Sequence, residues 1–333
     1  MAEARYGFRI RGPVSGERRL IDWRQAFEAY CGCDERARVG EEAYLSAFAF
    51  GADFAEHLRA TGSTRGYAGP CGGDWLWIDL DAGGDADGLD GVLADARALL
   101  LAIARETAVA EDELLTFYSG SKGFHLGVPL AGFEPKAGPL YHDTARRTAS
   151  KLAEAAGVAI DTGVYDRVRA FRAPNSRHPR TGAHKVRLTA EELLELSADR
   201  IRGLAAQPRA FDLADLGEGR CGLEFPALWN RCKAEAEQAG EAEAERRQAM
   251  AEGRLQASLN RATRDFIAGG ASEGDRHRLL FSAAANLAEL GAPERLAFEL
   301  LAESALDSGL PPAEVDRQIR CGLQHARGGQ ADG

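Results

Sequence analysis

Two aspartates in one short apolar segment are the first residues of this sequence that suggest chemistry. Asp79 and Asp81 lie in the segment WLWIDLDA, residues 75–82. In a β-strand, residues i and i+2 point to the same face, so these two carboxylates would lie side by side. Adjacent carboxylates are costly to ionise without a counter-charge, which a cation such as Mg²⁺ or Mn²⁺ supplies. The motif predicts a metal-binding pair, the alternative being two solvated carboxylates at a strand end.

A second motif carries donors for an anion. The segment SGSKGFH, residues 119–125, contains two glycines that permit a tight turn whose backbone N–H groups can face an anion. Its hydroxyl, ammonium and imidazole groups suit phosphate oxygens, although the spacing is not that of a Walker loop. The alternative is a plain hairpin turn. The predicted phosphate-binding residues are Ser119, Ser121, Lys122, Gly123 and His125.

The third motif joins one more carboxylate to a basic run. Asp161 follows a short apolar segment, and residues 165–187 then contain seven Lys and Arg residues against one acidic residue, Asp166. The alternative interpretation is a charged surface loop with paired arginines. Further polar donors in the same run are Asn175, Ser176 and His178.

Taken together, the three motifs fit one reaction. Three carboxylates, those of Asp79, Asp81 and Asp161, can hold two metal ions, and the neighbouring donors can hold a triphosphate. This layout is typical of nucleotidyl transfer by two metal ions, in which one ion activates a 3′-hydroxyl and the other neutralises the leaving pyrophosphate.

The elements that must position these motifs follow from the apolar patterns. The run at 75–82 is bounded by glycines and predicts a buried strand, and 114–120 and 124–130 predict two strands of a hairpin. Shorter strands are predicted within 158–175 and 184–189. This mixture predicts an α/β (α+β) catalytic unit. Helices are predicted over 21–31, 41–60, 88–108 and 138–157.

The composition changes in the last third of the chain. Residues 234–252 are rich in Ala and Glu without an apolar stripe, which is typical of a solvated helix or linker. Beyond Gly274, three helical patterns separated by Gly291 and Gly309 predict a small all-α bundle. We therefore predict a catalytic domain over 1–225, a charged helical linker over 226–262 and a helical bundle domain over 263–333.

The bulk composition limits the class of protein. The chain has 333 residues, of which 45% are hydrophobic, and a formal net charge of −10. A negative total argues against nucleic acid, but the basic run at 165–187 lies next to the predicted metals, so we expect modest, salt-sensitive DNA affinity. No apolar run is long enough to cross a membrane, and the six cysteines contain no CxxC pair. We expect a cytoplasmic protein with reduced thiols.

The order and spacing of the motifs resemble those of the archaeo-eukaryotic primase superfamily, especially plasmid- or phage-type primases and primase-polymerases. The motifs stand here as IDLD (78–81), SGSKGFH (119–125) and ID…FRAPNSRHPRTG (160–182), and the resemblance covers about residues 75–190. It implies an α/β core with an RRM-like unit. The C-terminal bundle resembles the helical domain that follows the core in such primases. Residues 82–118 contain no cysteine or histidine, so the zinc site of many members is not expected.

The resemblance also implies a role for each motif. It implies Asp79, Asp81 and Asp161 as ligands of Mg²⁺ or Mn²⁺. It places Ser119, Lys122 and His125, and with them Arg172, Ser176 and His178, on the incoming triphosphate. The further candidates for nucleotide or template contact are Arg177, Arg180 and Lys185.

The sequence therefore predicts a template-dependent nucleotidyltransferase, a DNA primase that makes primers on single-stranded DNA. Its expected partners are the template strand, NTPs or dNTPs and a separate replicative helicase of a plasmid, phage or mobile element, with no membrane. Three alternatives stay open: a primer-dependent repair or gap-filling polymerase of the same superfamily, a non-catalytic replication or origin-binding protein, and a metal-dependent nuclease.

Overall fold

A computed structural model describes residues 5–81, 88–216, 220–251, 258–272 and 274–328. The chain divides into two compact units, residues 1–239 and 240–333. Unit 1 contains both sheets and unit 2 contains helices, which confirms the predicted mixture of α and β structure followed by a helical region.

The first sheet of unit 1 is built around one central strand. Strand β1 (Tyr6–Arg11) pairs antiparallel with β2 (Arg19–Asp22), β3 (Ala43–Ser46) and β4 (Ala49–Phe50), and β3 pairs in turn with β9 (Ala170–Arg172). On one face of β1, Phe8 packs against Phe54 of helix α2 (Ala52–Thr61), and on the other Gly7 lies against Trp23 of helix α1 (Trp23–Cys31). The sixth strand of this sheet is β5 (Cys71–Gly72).

The second sheet of unit 1 carries two of the three motifs. Its four antiparallel strands are ordered β10 (Val186–Leu188), β7 (Leu115–Tyr118), β8 (Gly123–Pro129), β6 (Trp75–Asp81). Helices α3 (Gly88–Thr107) and α4 (Tyr141–Ala156) give the chain a β-α-β-β-α-β order through this sheet. The predicted buried strand and hairpin are confirmed, because β6 and β7 both pair with β8. The RRM-like description stays a prediction.

The predicted helix over 41–60 is wrong. Residues 43–50 form β3 and β4, and α2 begins only at Ala52. The segment AYLSAFAF has apolar side chains on both sides of a strand, so its periodicity does not distinguish a buried strand from a helix. The segment forms strands because it pairs with β1, which is distant in sequence. Residues 162–165, expected within a strand region, form a 3₁₀ turn.

Helices complete unit 1 after the second sheet. They are α5 (Ala190–Glu195), α6 (Ala198–Leu204) and the start of α7 (Glu224–Ala251). Phe225 and Trp229 at the beginning of α7 are buried beside Phe133, and Trp229 also contacts Tyr141. The segment predicted as a linker from residue 226 therefore starts with turns that pack into the core of unit 1.

Unit 2 contains four helices after α7. The three predicted patterns form α9, α10 and α11, and α8 precedes them. Phe266, Leu280, Leu301 and Ile319 form the core of the bundle. None of the described helices is both long and apolar enough to cross a membrane. Their bounds are α8 (Arg261–Gly269), α9 (Arg276–Glu289), α10 (Glu294–Asp307) and α11 (Pro312–Gly328).

Candidate active site

The end of strand β6 positions the first two carboxylates. Asp79 lies opposite His125 and Asp81 lies opposite Gly123 on β8, so the first motif and the second are neighbours in the sheet. Gly123 is required by this register, because a Cβ there would lie 2.2 Å from the Leu80 carbonyl oxygen and 2.5 Å from Oδ1 of Asp81. The i, i+2 spacing thus places both aspartates on the face that carries His125.

Asp79 is a buried carboxylate in an unusual environment. Its side chain is 16% exposed, and its Oδ1 lies 3.3 Å from Nε2 of His125, whose side chain is 7% exposed. The geometry is not that of a hydrogen bond, and Oδ1 of Asp79 and Nδ1 of His125 both lack a partner among the described residues. Burial first, and then the charges of Asp81 and Asp161, raise the pKa of Asp79 to about 8.

Asp161 joins this pair through the backbone. Its N–H donates to the Asp79 carbonyl at 2.9 Å, so the third motif begins beside the end of β6. Its carboxylate accepts from the Gly163 N–H at 2.7 Å and caps the 3₁₀ turn. Tyr165, at the end of that turn, donates from its hydroxyl to the Trp77 carbonyl at 2.6 Å. Two long-range hydrogen bonds therefore fix the carboxylates relative to each other.

The chemistry of these donors fits a divalent cation. Three carboxylates are neighbours, and one buried oxygen of Asp79 has no hydrogen-bond partner in the described part of the chain. Within that part, however, no group of three or more His, Cys, Asp or Glu side chains is close enough to hold a metal ion as it stands. Metal binding by Asp79, Asp81 and Asp161 stays a prediction.

The hairpin between β7 and β8 is closed by its own polar groups. The Ser119 Oγ accepts from the Gly123 N–H at 3.2 Å, and the Tyr118 hydroxyl donates to the Ser121 carbonyl at 2.7 Å. Gly120 has a φ of +83°, which favours glycine. Lys122 is exposed and contacts Asp81 at 3.4 Å. The second motif thus contributes Lys122 directly beside the carboxylates, while Ser119 shapes the turn.

Arg172 enters the same region from the first sheet. Its Nη2 donates to the Tyr44 hydroxyl at 3.2 Å, and its guanidinium lies 5.0 Å from the centre of the Tyr44 ring. Its Nη1 is buried and lacks a hydrogen-bond partner among the described residues. The preceding residue, Phe171, stacks on His125 with ring centres 4.3 Å apart. Arg172 and Phe171 are consecutive residues of β9 and point to opposite faces of the strand, but the charge of Arg172, after burial and Lys185, still contributes to lowering the pKa of His125.

Asn175 and Ser176 hold the loop rather than face a ligand. The Asn175 amide donates to the Tyr30 and Cys31 carbonyls at 3.0 and 3.2 Å, and its Oδ1 accepts from the Arg209 N–H at 2.8 Å. The Ser176 hydroxyl has carbonyl partners, and both residues are fully buried. The predicted contact of these two side chains with a nucleotide does not agree with this placement, because their polar atoms are already bonded inside the protein.

The remaining candidates of the loop differ in exposure, since His178 is buried whereas Arg177 and Arg180 are exposed. The His178 Nδ1 accepts from the Arg180 and Thr181 N–H groups at 3.2 and 3.3 Å, which places the proton of the neutral ring on Nε2. Burial, followed by Arg172, lowers the pKa of His178. Arg177 and Arg180 are exposed, and Arg177 donates to the Gly182 carbonyl at 3.2 Å. These three stay candidates for phosphate or template contact.

Lys185 is not available to a template strand. Its residue is 1% exposed, and its Nζ donates to the Arg172 carbonyl at 2.9 Å. The ammonium lies 4.3 Å from the centre of the Phe171 ring and 4.7 Å from that of Phe117. Burial lowers its pKa to about 7, with Asp79 acting in the opposite direction. Lys185 thus supports Arg172 and the carboxylates from inside the core.

Two residues have a supporting role that the sequence did not predict. Tyr44 holds Arg172 from β3, a strand that was itself missed, and Tyr165 anchors β6 from the third motif. Tyr165 follows Asp161 by four residues, but the sequence alone does not distinguish a buried tyrosine that is hydrogen-bonded to a strand from a tyrosine at the surface. Nothing in the sequence linked Tyr44 to Arg172, because their pairing is between residues distant along the chain.

Comparisons with known proteins give little beyond this geometry. No family model matches the sequence, and no curated protein matches it. Among solved structures, a chain described as "Crystal structure of primase RepB'" is similar with a TM-score of 0.36 and 15% sequence identity, covering 98% of this chain and 94% of that one. A similarity this weak does not establish a function, which therefore has to come from the site.

Proposed function

We propose that this protein is a template-dependent nucleotidyltransferase that joins nucleoside triphosphates on single-stranded DNA, that is, a DNA primase. The observation that supports this most directly is the pair of unpartnered buried groups, Oδ1 of Asp79 and Nη1 of Arg172. A buried acceptor and a buried donor without partners are both unfavourable. A nucleoside triphosphate with its divalent cation would satisfy both, the cation at the carboxylate and phosphate oxygens at the guanidinium.

The carboxylates of Asp79, Asp81 and Asp161 would hold the metal ions. Oxygen donors without a cysteine or a second nitrogen ligand favour Mg²⁺ or Mn²⁺ over zinc. Bound there, divalent cations activate a primer 3′-hydroxyl and stabilise the charge that develops on the leaving pyrophosphate. The raised pKa of Asp79 means that a cation competes with a proton for this carboxylate near neutral pH.

The neighbouring residues would orient the triphosphate. Arg172 offers Nη1 while Tyr44 fixes its other end, so the guanidinium is held in one orientation before a ligand arrives. His125 is kept neutral because burial, Lys185 and Arg172 lower its pKa. Lys122 and the Nε2 side of His178 add donors at the hairpin and the loop. These residues bind and position, which is the main protein contribution to phosphoryl transfer.

The biological setting belongs to the same proposal. The spacing of IDLD, SGSKGFH and FRAPNSRHPRTG supports a primase of a plasmid, phage or mobile element, acting in the cytoplasm with a separate helicase. Template DNA and NTPs or dNTPs would be the substrates.

The test is synthesis with and without a primer. The protein is incubated with a single-stranded template, labelled NTPs or dNTPs, and Mg²⁺ or Mn²⁺, in parallel with the same template carrying an annealed primer. We expect labelled product in the primer-free reaction, dependent on template and cation. Product only from the annealed primer would support the gap-filling polymerase instead, and shortening of DNA without nucleotides would support the nuclease.

Matched variants make this test specific. Asp81→Asn removes one predicted ligand from an exposed strand end, whereas Asp199→Asn removes an exposed carboxylate in α6 that pairs with Arg202. We expect product from the Asp199 variant and none from the Asp81 variant. Equal synthesis by both would contradict the role given to the carboxylates.

A further inference from the structure

Three arginines share one face of the β1–β2 hairpin, outside the site described above. Arg9 lies directly opposite Arg19 in the register, so their side chains are on the same face. Arg11 follows two residues later in β1 and projects to that face as well. Like charges directly opposite in a sheet are destabilising. We call Arg9, Arg11 and Arg19 the arginine face.

The positive charge of this face is poorly compensated. Among the residues that the structure describes, no carboxylate pairs with Arg9 or Arg11, and the Nε atoms of both are buried without a hydrogen-bond partner. Arg19 contacts Glu17, but the two side chains are 65% and 69% exposed, so this pair contributes little. Nearby carboxylates are engaged by other arginines: Asp22 with Arg5, Asp34 with Arg36 and Glu41 with Arg38.

A buried phenol completes the donor set. Tyr30 on α1 is fully buried, and its hydroxyl interacts with the guanidinium groups of Arg9 and Arg11, although no hydrogen bond of regular geometry is formed among the described residues. Burial, followed by the charge of Arg11, lowers the pKa of Arg9. Guanidinium and hydroxyl donors together suit the oxygens of phosphate groups.

The register of the first sheet gives the distance between the arginine face and the active site. In the first sheet, Arg9 lies opposite Leu45, and Leu45 lies opposite Phe171, so all three side chains are on one face. Phe171 is the ring that stacks on His125. Two strand spacings separate Arg9 from Phe171, which is about 10 Å. The arginine face therefore lies about 10 Å from the ring stack, although Leu45 and Phe171 themselves are buried in the core.

We propose that the arginine face binds the sugar–phosphate backbone of the template strand as it passes the active site. This inference rests on the proposed function, because it identifies the bound strand as template. Contacts to phosphates position a strand without reading its sequence. Each phosphate neutralised on a single strand contributes about −0.7 to the slope of log affinity against log salt concentration.

The test measures binding of a fluorescent single-stranded oligonucleotide at several NaCl concentrations. The variants are Arg9→Gln, Arg19→Gln and the two combined, with Arg9→Lys plus Arg19→Lys as the charge-retaining pair. Arg295→Gln is the control, since Arg295 is an exposed arginine of α10 paired with Glu299. We expect the slope to become shallower by about 0.7 for each Gln substitution, with the Lys pair and the control near the wild type.

Three outcomes would overturn this inference. The first is that the double Gln variant has the same salt slope as the wild type. The second is that the double Lys variant loses as much of the slope as the double Gln variant. The third is that ATP, at equal phosphate concentration, displaces the oligonucleotide from the arginine face. The last would assign the face to free triphosphates. The proposed function is tested separately, because binding is measured without synthesis. A shallower slope in a protein that makes no product would support the arginine face and contradict the primase assignment.

Discussion

The two halves of the candidate site differ in how their buried polar groups are satisfied. At the end of β6, Asp79 keeps a buried oxygen without a partner beside two more carboxylates. In the loop at 173–185, Asn175, Ser176 and Lys185 are more deeply buried than Asp79, and each is hydrogen-bonded to backbone groups of the protein. Both segments contain polar residues typical of a nucleotide-binding site. Of these residues, Asp79 at the end of β6 is the one with a buried atom that lacks a hydrogen-bond partner in the described part of the chain.

This difference separates binding residues from supporting ones. Buried polar groups are nearly always satisfied in native proteins, by protein groups, water or ions, so an unsatisfied group beside other candidate ligands is where a bound ligand is expected, whereas a satisfied one indicates a structural role. By this criterion we propose that Asp79 and Arg172 face a ligand, whereas Asn175 and Ser176 shape the loop that carries His178. The following substitutions test the contrast, from the largest expected effect to the smallest.

Replacing Asp79 by Asn should abolish function and leave the fold intact. The substitution removes a charged ligand without changing side-chain size, and we expect synthesis to fall about 100- to 1,000-fold, as for other essential electrostatic groups in catalysis. Quantification of labelled product by gel, together with circular dichroism of the purified variant, measures both properties. Residual synthesis within about tenfold of the wild type would contradict the assignment.

The same variant should change how stability depends on pH. Because the pKa of Asp79 is raised to about 8 in the folded protein, its stabilising contribution is present at pH below about 4 and is lost as pH rises to about 8. Asp79→Asn should therefore be more stable than the wild type at pH 8, by roughly 1–3 kcal/mol. Urea unfolding at pH 5 and pH 8 without divalent cations measures this, and an equal difference at the two pH values would contradict it.

Replacing Asn175 by Ala should lower the free energy of unfolding, with a smaller effect on synthesis by the folded protein. The Tyr30 and Cys31 carbonyls and the Arg209 N–H would lose their partner, and Ala would have to adopt the positive φ of 57°. We expect a loss of about 3 kcal/mol in the free energy of unfolding. Chemical denaturation measures it, and a variant as stable as the wild type with impaired nucleotide binding would restore Asn175 as a binding residue.

Replacing Gly120 by Ala should strain the hairpin of the second motif. The added Cβ would lie 3.1 Å from the carbonyl oxygens of Ala183 and His184, at a φ of +83°. We expect about 1–2 kcal/mol of destabilisation. Thermal unfolding measures this, and Gly40→Ala, where the Cβ meets no atom within 4 Å, is the matched control.

Replacing Lys185 by Met should affect synthesis with little effect on stability. Met fills the space among Phe117 and Phe171 and removes a buried charge, so we expect stability within about 1 kcal/mol of the wild type. The Arg172 carbonyl would lose its donor, and we expect synthesis to fall about tenfold through poorer positioning. A Met variant with full activity would leave Lys185 without a role in the site.

The sequence predicted those parts of the site that depend on local geometry. The apolar run of WLWIDLDA, the i, i+2 spacing of its aspartates and the glycines of SGSKGFH were enough for the strand, the hairpin and the proximity of Asp79 to Asp81. The burial of Asn175, Ser176 and Lys185 was not predictable, because polar residues are usually exposed. Their burial results from contacts with Tyr30, Ala43 and Arg172, which lie far away in the chain or across a loop. The strands β3 and β4 were missed for the same reason.

The most direct test of the central claim is Mn²⁺ binding measured by electron paramagnetic resonance on the wild type, Asp79→Asn and Asn175→Ala. The account predicts saturable Mn²⁺ binding at pH 7.5 by the wild type and by folded Asn175→Ala, and loss of that binding in Asp79→Asn. Equal Mn²⁺ binding by the wild type and Asp79→Asn, or no binding by the wild type with nucleotide present, would contradict the claim that the end of β6 is completed by a divalent cation.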